Sequence, residues 1–172
     1  TGKILKSHPN VLENSVPFNM EADSLNACVL GEDVDEKSDE FGIFIKEIYR
    51  EMTAKTGQKC TAVRRILVPK NKIDQVQKAL ITKLENTVIG NPENKDVKMG
   101  ALASKIQVER LKEKVELLME SQEKVFDNSQ NLNLVDASLE KGAFFSPILF
   151  RNDEPFFRDA VHNVEAFGPV ST

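Results

Sequence analysis

Cys60 is the residue of this sequence best suited to nucleophilic chemistry. It lies in the run GQKCT (residues 57–61), directly after Lys59, and the arginines Arg64 and Arg65 follow it. Positive charge near a thiol favours the thiolate, which is the reactive form of cysteine. A free cysteine is nevertheless more often a small buried hydrophobic residue than a nucleophile. The local sequence alone leaves both interpretations of Cys60 open.

Other side chains with reactive groups give weaker signals. The second cysteine, Cys28, stands in an apolar run that predicts a buried strand. The two histidines, His8 and His162, form neither CxxC nor HxxxH spacings with the cysteines, so no structural metal is expected.

The composition is that of one domain with its own core. The chain has 172 residues, 40% of them hydrophobic and 29% charged, and a formal net charge of -4. Its basic residues are spread among more numerous acids, which argues against a nucleic-acid partner. No signal peptide and no apolar run near the roughly 18 residues of a membrane span is found. With only two cysteines in the chain, these features predict a reducing cytoplasmic location and no membrane partner.

Hydrophobic periodicity predicts alternating helices and strands. Apolar residues spaced by three and four predict helices that begin near residues 38–41, 71 and 105 and end near residues 56, 84 and 123. A short helix is expected over residues 3–13, and strands over residues 25–30, 61–68 and 143–150. This alternation predicts an α/β fold, an open sheet with flanking helices. Cys60 then lies between a helix end and a strand. The stripe expected to be buried on the third helix is Ile106, Val108, Leu111, Val115, Leu118 and Met119.

Five short motifs resemble those of one enzyme family. The run GQKC (57–60) matches the GQxC signature around the nucleophile of aldehyde dehydrogenases, and FNMEADSLN (18–26) stands where that family places a catalytic glutamate. Further along, IGNP (89–92), GAFFSP (142–147) and EAFGPV (165–170) resemble the family's GNP loop, aromatic-proline strand and ExFGPV motif. Because all five occur in the family's order, the chain is identified as a member of the aldehyde dehydrogenase superfamily.

The resemblance implies a role for four residues. Cys60 would attack an aldehyde, and its backbone N–H would donate to the oxyanion. Glu21 would activate the water that hydrolyses the resulting thioester. Glu165 resembles the residue that hydrogen-bonds the nicotinamide ribose of NADP or NAD, and Phe167 the aromatic residue beside the same ring. Without the motif, Glu165 would be interpreted as a solvated surface acid and Phe167 as a residue of the core.

Departures from the common family pattern indicate one branch of the aldehyde dehydrogenases. The family's ELGG is replaced by EADS (21–24), and KMGAL (98–102) and HNVEAF (162–167) accompany GQKCTAVRR. This combination is similar to the dehydrogenase half of bifunctional ring-opening enzymes of phenylacetate catabolism, which implies a CoA-linked semialdehyde as substrate. Two alternatives stay open: an acylating dehydrogenase, in which CoA releases the thioester, and a non-catalytic binding or assembly module. Retention of Glu21 favours hydrolysis.

The chain ends are abrupt, which favours a catalytic domain, residues 1–172, excised from a longer protein. The resemblance then places the cofactor-binding domain before Thr1 and the oligomerisation element after Thr172. It also implies that the full-length parent is a homo-oligomer. A hydratase domain has no counterpart in this sequence.

Overall fold

A computed structural model describes residues 2–172, in which helices and strands alternate along the chain. The helices are α1 (Gly2–Lys6), α2 (Pro9–Glu13), α3 (Asp39–Thr53), α4 (Ile73–Glu85), α5 (Lys105–Met119) and α6 (Ala160–Asn163). The strands are β1 (Asn26–Val29), β2 (Val63–Leu67), β3 (Ile89–Gly90), β4 (Glu123–Asp127), β5 (Leu134–Val135), β6 (Ile148–Arg151) and β7 (Val170–Ser171).

Five strands line up side by side in the order β1-β2-β7-β6-β4. β1 pairs with β2 and β6 with β7 in parallel, and β4 is antiparallel to β6. The β1-β2 pair and the group of β7, β6 and β4 meet at Thr172. Its N–H donates to the carbonyl of Arg64 (2.9 Å), and its carbonyl accepts the N–H of Ile66 (2.7 Å). β3 and β5 form a separate parallel pair. The predicted α/β fold is therefore confirmed.

Helices α3 and α4 cover one face of the sheet. Ser38 caps α3 by accepting the N–H of Phe41 (3.3 Å), a role that its side chain suits. The buried residues of α3 recur at intervals of three and four, so they form one stripe. They pack with α4 and with Leu149 of β6 in one core cluster. The buried helix residues of this cluster are Phe41, Phe44, Ile45, Ile48, Met52, Val76, Leu80 and Leu84.

Helix α5 covers the opposite face. Leu111, Val115 and Leu118 pack with Ile148 and Phe150 of β6. Neighbouring residues of β6 thus point to the two different core clusters, as alternation along a strand requires.

The expectation that Ile106 and Met119 are buried was wrong, since they are 65% and 48% exposed. They lie in the first and last turns of α5. The spacing of apolar residues predicts which face of a helix points to the core. It does not predict how far along the helix other residues cover that face.

The predicted helix over residues 3–13 is divided in two. His8 has an extended backbone (φ -67, ψ 134) between α1 and α2, and Pro9 begins α2. A residue that precedes proline is disfavoured in the helical region, which explains the break. The ring nitrogen Nδ1 of His8 then accepts the N–H of Asn10 and caps α2. Across residues 2–172, none of the helices has the length and apolarity needed to cross a membrane.

Candidate active site

A left-handed turn delivers Cys60 to the surface. After α3 the backbone takes positive φ at Lys55 (φ 51), Thr56 (φ 54) and Gly57 (φ 66). Positive φ is unusual for a β-branched residue, so the surrounding structure must hold Thr56 in place. Its buried hydroxyl has one hydrogen to donate and lies within hydrogen-bond distance of two carbonyls, those of Gly100 (3.1 Å) and Ala101 (3.2 Å). The turn is thus fixed to another segment immediately before the exposed Cys60.

Asn26 fixes the backbone of Cys60 to the sheet. The Nδ2 amide of Asn26, the first residue of β1, donates to the carbonyl oxygens of Cys60 (2.6 Å) and Ala62 (3.1 Å). A side-chain amide has two donors, and both are used here. The main chain of Cys60 is therefore held while its thiol stays exposed to solvent.

Lys59 is not the free ammonium that the sequence suggested. Its Nζ lies 2.6 Å from Oε1 of Glu51, and the two side chains are 20% and 15% exposed. The positive charge beside Cys60 is therefore balanced by a carboxylate. The pair also ties the cysteine loop to the last turns of α3.

Glu21 lies in an irregular segment before β1. It is exposed, and Nδ2 of Asn19 approaches its Oε1 at 3.5 Å. Parallel neighbouring strands begin at the same edge of a sheet, so the segments before β1 and β2, with Glu21 and Cys60, enter at one edge. Within residues 2–172, no hydrogen bond joins Glu21 to Cys60. Their convergence on one cleft stays a prediction.

Glu165 binds the segment that carries Glu21. Its Oε1 accepts both the N–H (3.1 Å) and the hydroxyl (2.9 Å) of Ser24. The described residues donate nothing to the other oxygen, Oε2. The EADS run and the ExFGPV motif, 141 positions apart, are thereby joined.

Gln58 connects its own motif to the motif of Phe167 and to the segment that follows KMGAL. The amide Nε2 of Gln58 donates to the carbonyl of Phe167 (3.3 Å), and its Oε1 accepts the N–H of Ala103 (2.8 Å). The ring of Phe167 is 39% exposed and borders a cleft of about 620 Å³ that Lys55 and Lys98 also line. The glutamine of the GQxC signature thus builds one wall of this cleft.

Sequence reasoning missed the contacts of Asn26, Ser24 and Arg64. Asn26 and Ser24 gave no signal beyond their place in a motif, and Arg64 was noted only for its charge. The structure buries Arg64 to 4% exposure. Burial lowers the pKa of its guanidinium, while the negative charges of Glu165 and Glu51 act in the opposite direction.

The second cysteine lies in β1, as predicted, and is half-buried. Cys28 packs against the core cluster of α3 and α4. Burial raises the pKa of the Cys28 thiol, and a hydrogen bond with the backbone of Val29 only partly offsets this. Its position and protonation suit a packing role. Among residues 2–172, no three His, Cys, Asp or Glu side chains are grouped as a metal ion requires.

Sequence and structure comparisons define the family. Residues 1–172 match the model of the aldehyde dehydrogenase family, and the chain belongs to that family. It is 42% identical over 172 residues to 3,4-dehydroadipyl-CoA semialdehyde dehydrogenase of Aromatoleum evansii, covering 100% of this chain and 33% of that protein. It is 27% identical over 137 residues to 1-pyrroline-5-carboxylate dehydrogenase of Oceanobacillus iheyensis, and this match covers 80% of this chain and 25% of that protein.

Solved structures support the fold. A crystal structure of betaine aldehyde dehydrogenase from Staphylococcus aureus in complex with NAD+ superimposes with a TM-score of 0.80 at 24% identity. The match covers 99% of this chain and 31% of that one. The predicted family and fold are therefore confirmed. The chain spans about a third of the length of these two proteins, the Aromatoleum enzyme and the solved betaine aldehyde dehydrogenase.

Proposed function

We propose that this chain is the catalytic domain of an aldehyde dehydrogenase that uses NADP or NAD, with Cys60 as nucleophile and Glu21 as general base. The observation that carries the proposal is the placement of Cys60. Its thiol is exposed, its carbonyl is held by Asn26, and Gln58 beside it joins the loop to Phe167. Such an arrangement presents a thiol on a fixed backbone, two residues after a side chain that lines the cleft.

The residues next to this cleft suit a nicotinamide nucleotide. Glu165 keeps one carboxylate oxygen without a donor from residues 2–172, and a ribose supplies hydroxyl donors. The ring of Phe167 is partly exposed and offers a flat apolar surface to a planar ring. When bound, the cofactor accepts the hydride of the aldehyde carbon. Glu165 and Phe167 would bind and orient its nicotinamide end.

The chemistry assigned to the chain has two stages. In the first, the Cys60 thiolate adds to the carbonyl carbon, and the backbone N–H of Cys60 donates to the oxyanion. Loss of the hydride from that carbon leaves an acyl group on sulfur as a thioester. In the second, Glu21 takes a proton from water, the oxygen adds to the thioester carbon, and the C–S bond breaks. The products are the carboxylic acid and the free Cys60 thiolate.

A CoA-linked semialdehyde is the proposed substrate. The support is the 42% identity to a protein named 3,4-dehydroadipyl-CoA semialdehyde dehydrogenase, together with the EADS and GQKCTAVRR runs. The proposed setting is aromatic degradation, as in phenylacetate catabolism, and the proposed full-length protein is a homo-oligomer.

The test uses the full-length protein with a CoA-linked semialdehyde and either cofactor. Cys60→Ala is expected to abolish formation of reduced cofactor. Glu21→Gln is expected to retain a first turnover, seen as a burst, and to lose steady hydrolysis. Cys28→Ala is the matched control and should keep the wild-type rate. Unchanged turnover in Cys60→Ala would refute the proposal.

A second candidate is acyl transfer to free CoA. It is favoured by the exposure of Glu21 and its lack of a hydrogen bond to Cys60 in the described residues. An acylating enzyme releases the thioester to a thiol and needs no base for water. Identification of the product separates the two functions. A carboxylic acid formed without added CoA supports hydrolysis, and an acyl-CoA formed only with added CoA supports transfer.

A further inference from the structure

Arg64 is a buried charged residue, and no carboxylate of residues 2–172 forms a hydrogen bond with it. Its side chain is 4% exposed, and buried charges normally need a partner. Here the partners are two backbone carbonyls. Nη1 donates to Gly168 O (2.5 Å) and Nη2 to Gly57 O (2.6 Å). Short bonds from an ionised donor are among the stronger hydrogen bonds in proteins.

The two carbonyls belong to the two segments that form the proposed site. Gly57 begins the GQKC loop, and Gly168 directly follows Phe167. The centre of the Arg64 guanidinium also lies 5.6 Å from the centroid of the Phe167 ring, within cation–π range. One side chain on β2 thus holds the backbone before Cys60, the backbone after Phe167 and the Phe167 ring.

The geometry of the contact requires arginine. Two parallel donors on a rigid planar group can hold two carbonyls at a fixed separation, and a lysine ammonium has no such plane. The carboxylates of Glu165 and Glu51 supply the nearby negative charge.

We propose that Arg64 is a positioning residue that sets the separation between the Cys60 loop and the Phe167 turn. This inference rests on the proposed function, because the separation matters only if the thiol and the nicotinamide must meet at one substrate carbon. Reacting groups have to approach within about 3–3.5 Å, and a displacement of about 1 Å can lower the rate about 100-fold. Arg64 acts through Gly57, Gly168 and Phe167.

Two variants and a control in the full-length protein test the proposal. Arg64→Met keeps an unbranched side chain but removes the donors to Gly57 O and Gly168 O, and Gly168 O then keeps only the N–H of Val170 (2.8 Å). Arg64→Lys keeps the charge but lacks the rigid planar pair of donors. The control, Arg151→Met, removes an arginine whose side chain is 22% exposed and which binds Asp74 and Asp153 away from the site.

Arg64→Met is expected to lower kcat about 100-fold and to raise the KM for the cofactor. Arg64→Lys should fall between Arg64→Met and wild type in both constants. Hydrogen exchange, measured without substrate, should rise in residues 55–60 and 167–170 together in Arg64→Met and in neither segment in Arg151→Met. The exchange readout does not depend on the reaction.

Three results would overturn the inference. The first is a folded Arg64→Met with wild-type kcat and KM, and the second is exchange that rises in only one of the two segments. If Arg64→Met does not fold, Arg64→Lys decides, and wild-type constants in that variant would be the third. Failure of the proposed function itself has a different signature, because wild type would then show no cofactor reduction while the coupled exchange persisted.

Discussion

Gly57→Ala should disrupt the turn before Cys60, because no side chain fits there. Gly57 has φ +66, and a Cβ at this residue would lie 2.2 Å from the carbonyl oxygen of Gly168 and 2.9 Å from the nitrogen of Pro169. All of these neighbouring atoms are backbone, so no flexible side chain can move aside. Carbon and its neighbours pack at about 3.5 Å. The two segments must therefore part by about 1 Å.

Two costs add in this variant. An alanine in the left-handed region costs about 1–2 kcal/mol. Inserting a carbon into a filled site costs about 1–3 kcal/mol more. Gly57→Ala is thus expected to lower the free energy of unfolding by about 2–5 kcal/mol. The Tm is expected to fall accordingly. The same separation lengthens the Arg64 contacts and should lower kcat about 100-fold.

Thermal unfolding and steady-state turnover of the full-length protein measure the two effects. Gly42→Ala provides the matched control. Gly42 is exposed within α3, and a Cβ there meets nothing within 4 Å. Alanine is the better helix residue, so this variant should be more stable by about 0.5–1 kcal/mol. If Gly57→Ala matches wild type in Tm and turnover, the contact between Gly57 and Gly168 does not exist as described.

Three further predictions follow from the site. Iodoacetamide should label Cys60 faster than Cys28. Because burial raises the pKa of Cys28, its labelling rate should rise only above the pH at which an ordinary thiol ionises. Peptide mapping of the labelled protein across pH checks this, and preferential labelling of Cys28 would contradict it. Ser24→Ala removes one of two donors to Glu165 and should raise the KM for the cofactor several-fold while kcat changes little, which initial rates at varied cofactor measure. Residues 1–172 alone should not oxidise aldehydes with NAD or NADP, and steady formation of reduced cofactor by the purified chain would disprove this.

Features that depend on local sequence were predictable. The stripe of α3 and the placement of Cys60 between a helix and a strand follow from spacing and side-chain chemistry. The family motifs named the candidate residues for the same reason, since each motif is contiguous. The break at Pro9 was also available from the sequence, because proline restricts the residue before it.

Contacts between distant segments could not be read from the sequence. Arg64 follows Cys60 closely, and its charge suggested an effect on the thiol. Its actual partner Gly168 lies 104 positions away. Lys59 likewise looked like a free charge until α3 brought Glu51 beside it. Charge is a property of one residue, whereas its effect depends on which groups the fold places around it.

One short segment anchors the whole candidate site. Residues 165–168 receive Ser24, Gln58 and Arg64 from positions 141, 109 and 104 residues away. The segment runs directly into β7, which the hydrogen bonds of Thr172 fix to β2. Any change that frees β7 from β2 therefore loosens the Glu21 segment, the Cys60 loop and the Phe167 turn together. The geometry around Cys60 therefore depends on the pairing of β7 with β2, although Cys60 itself lies on an exposed loop.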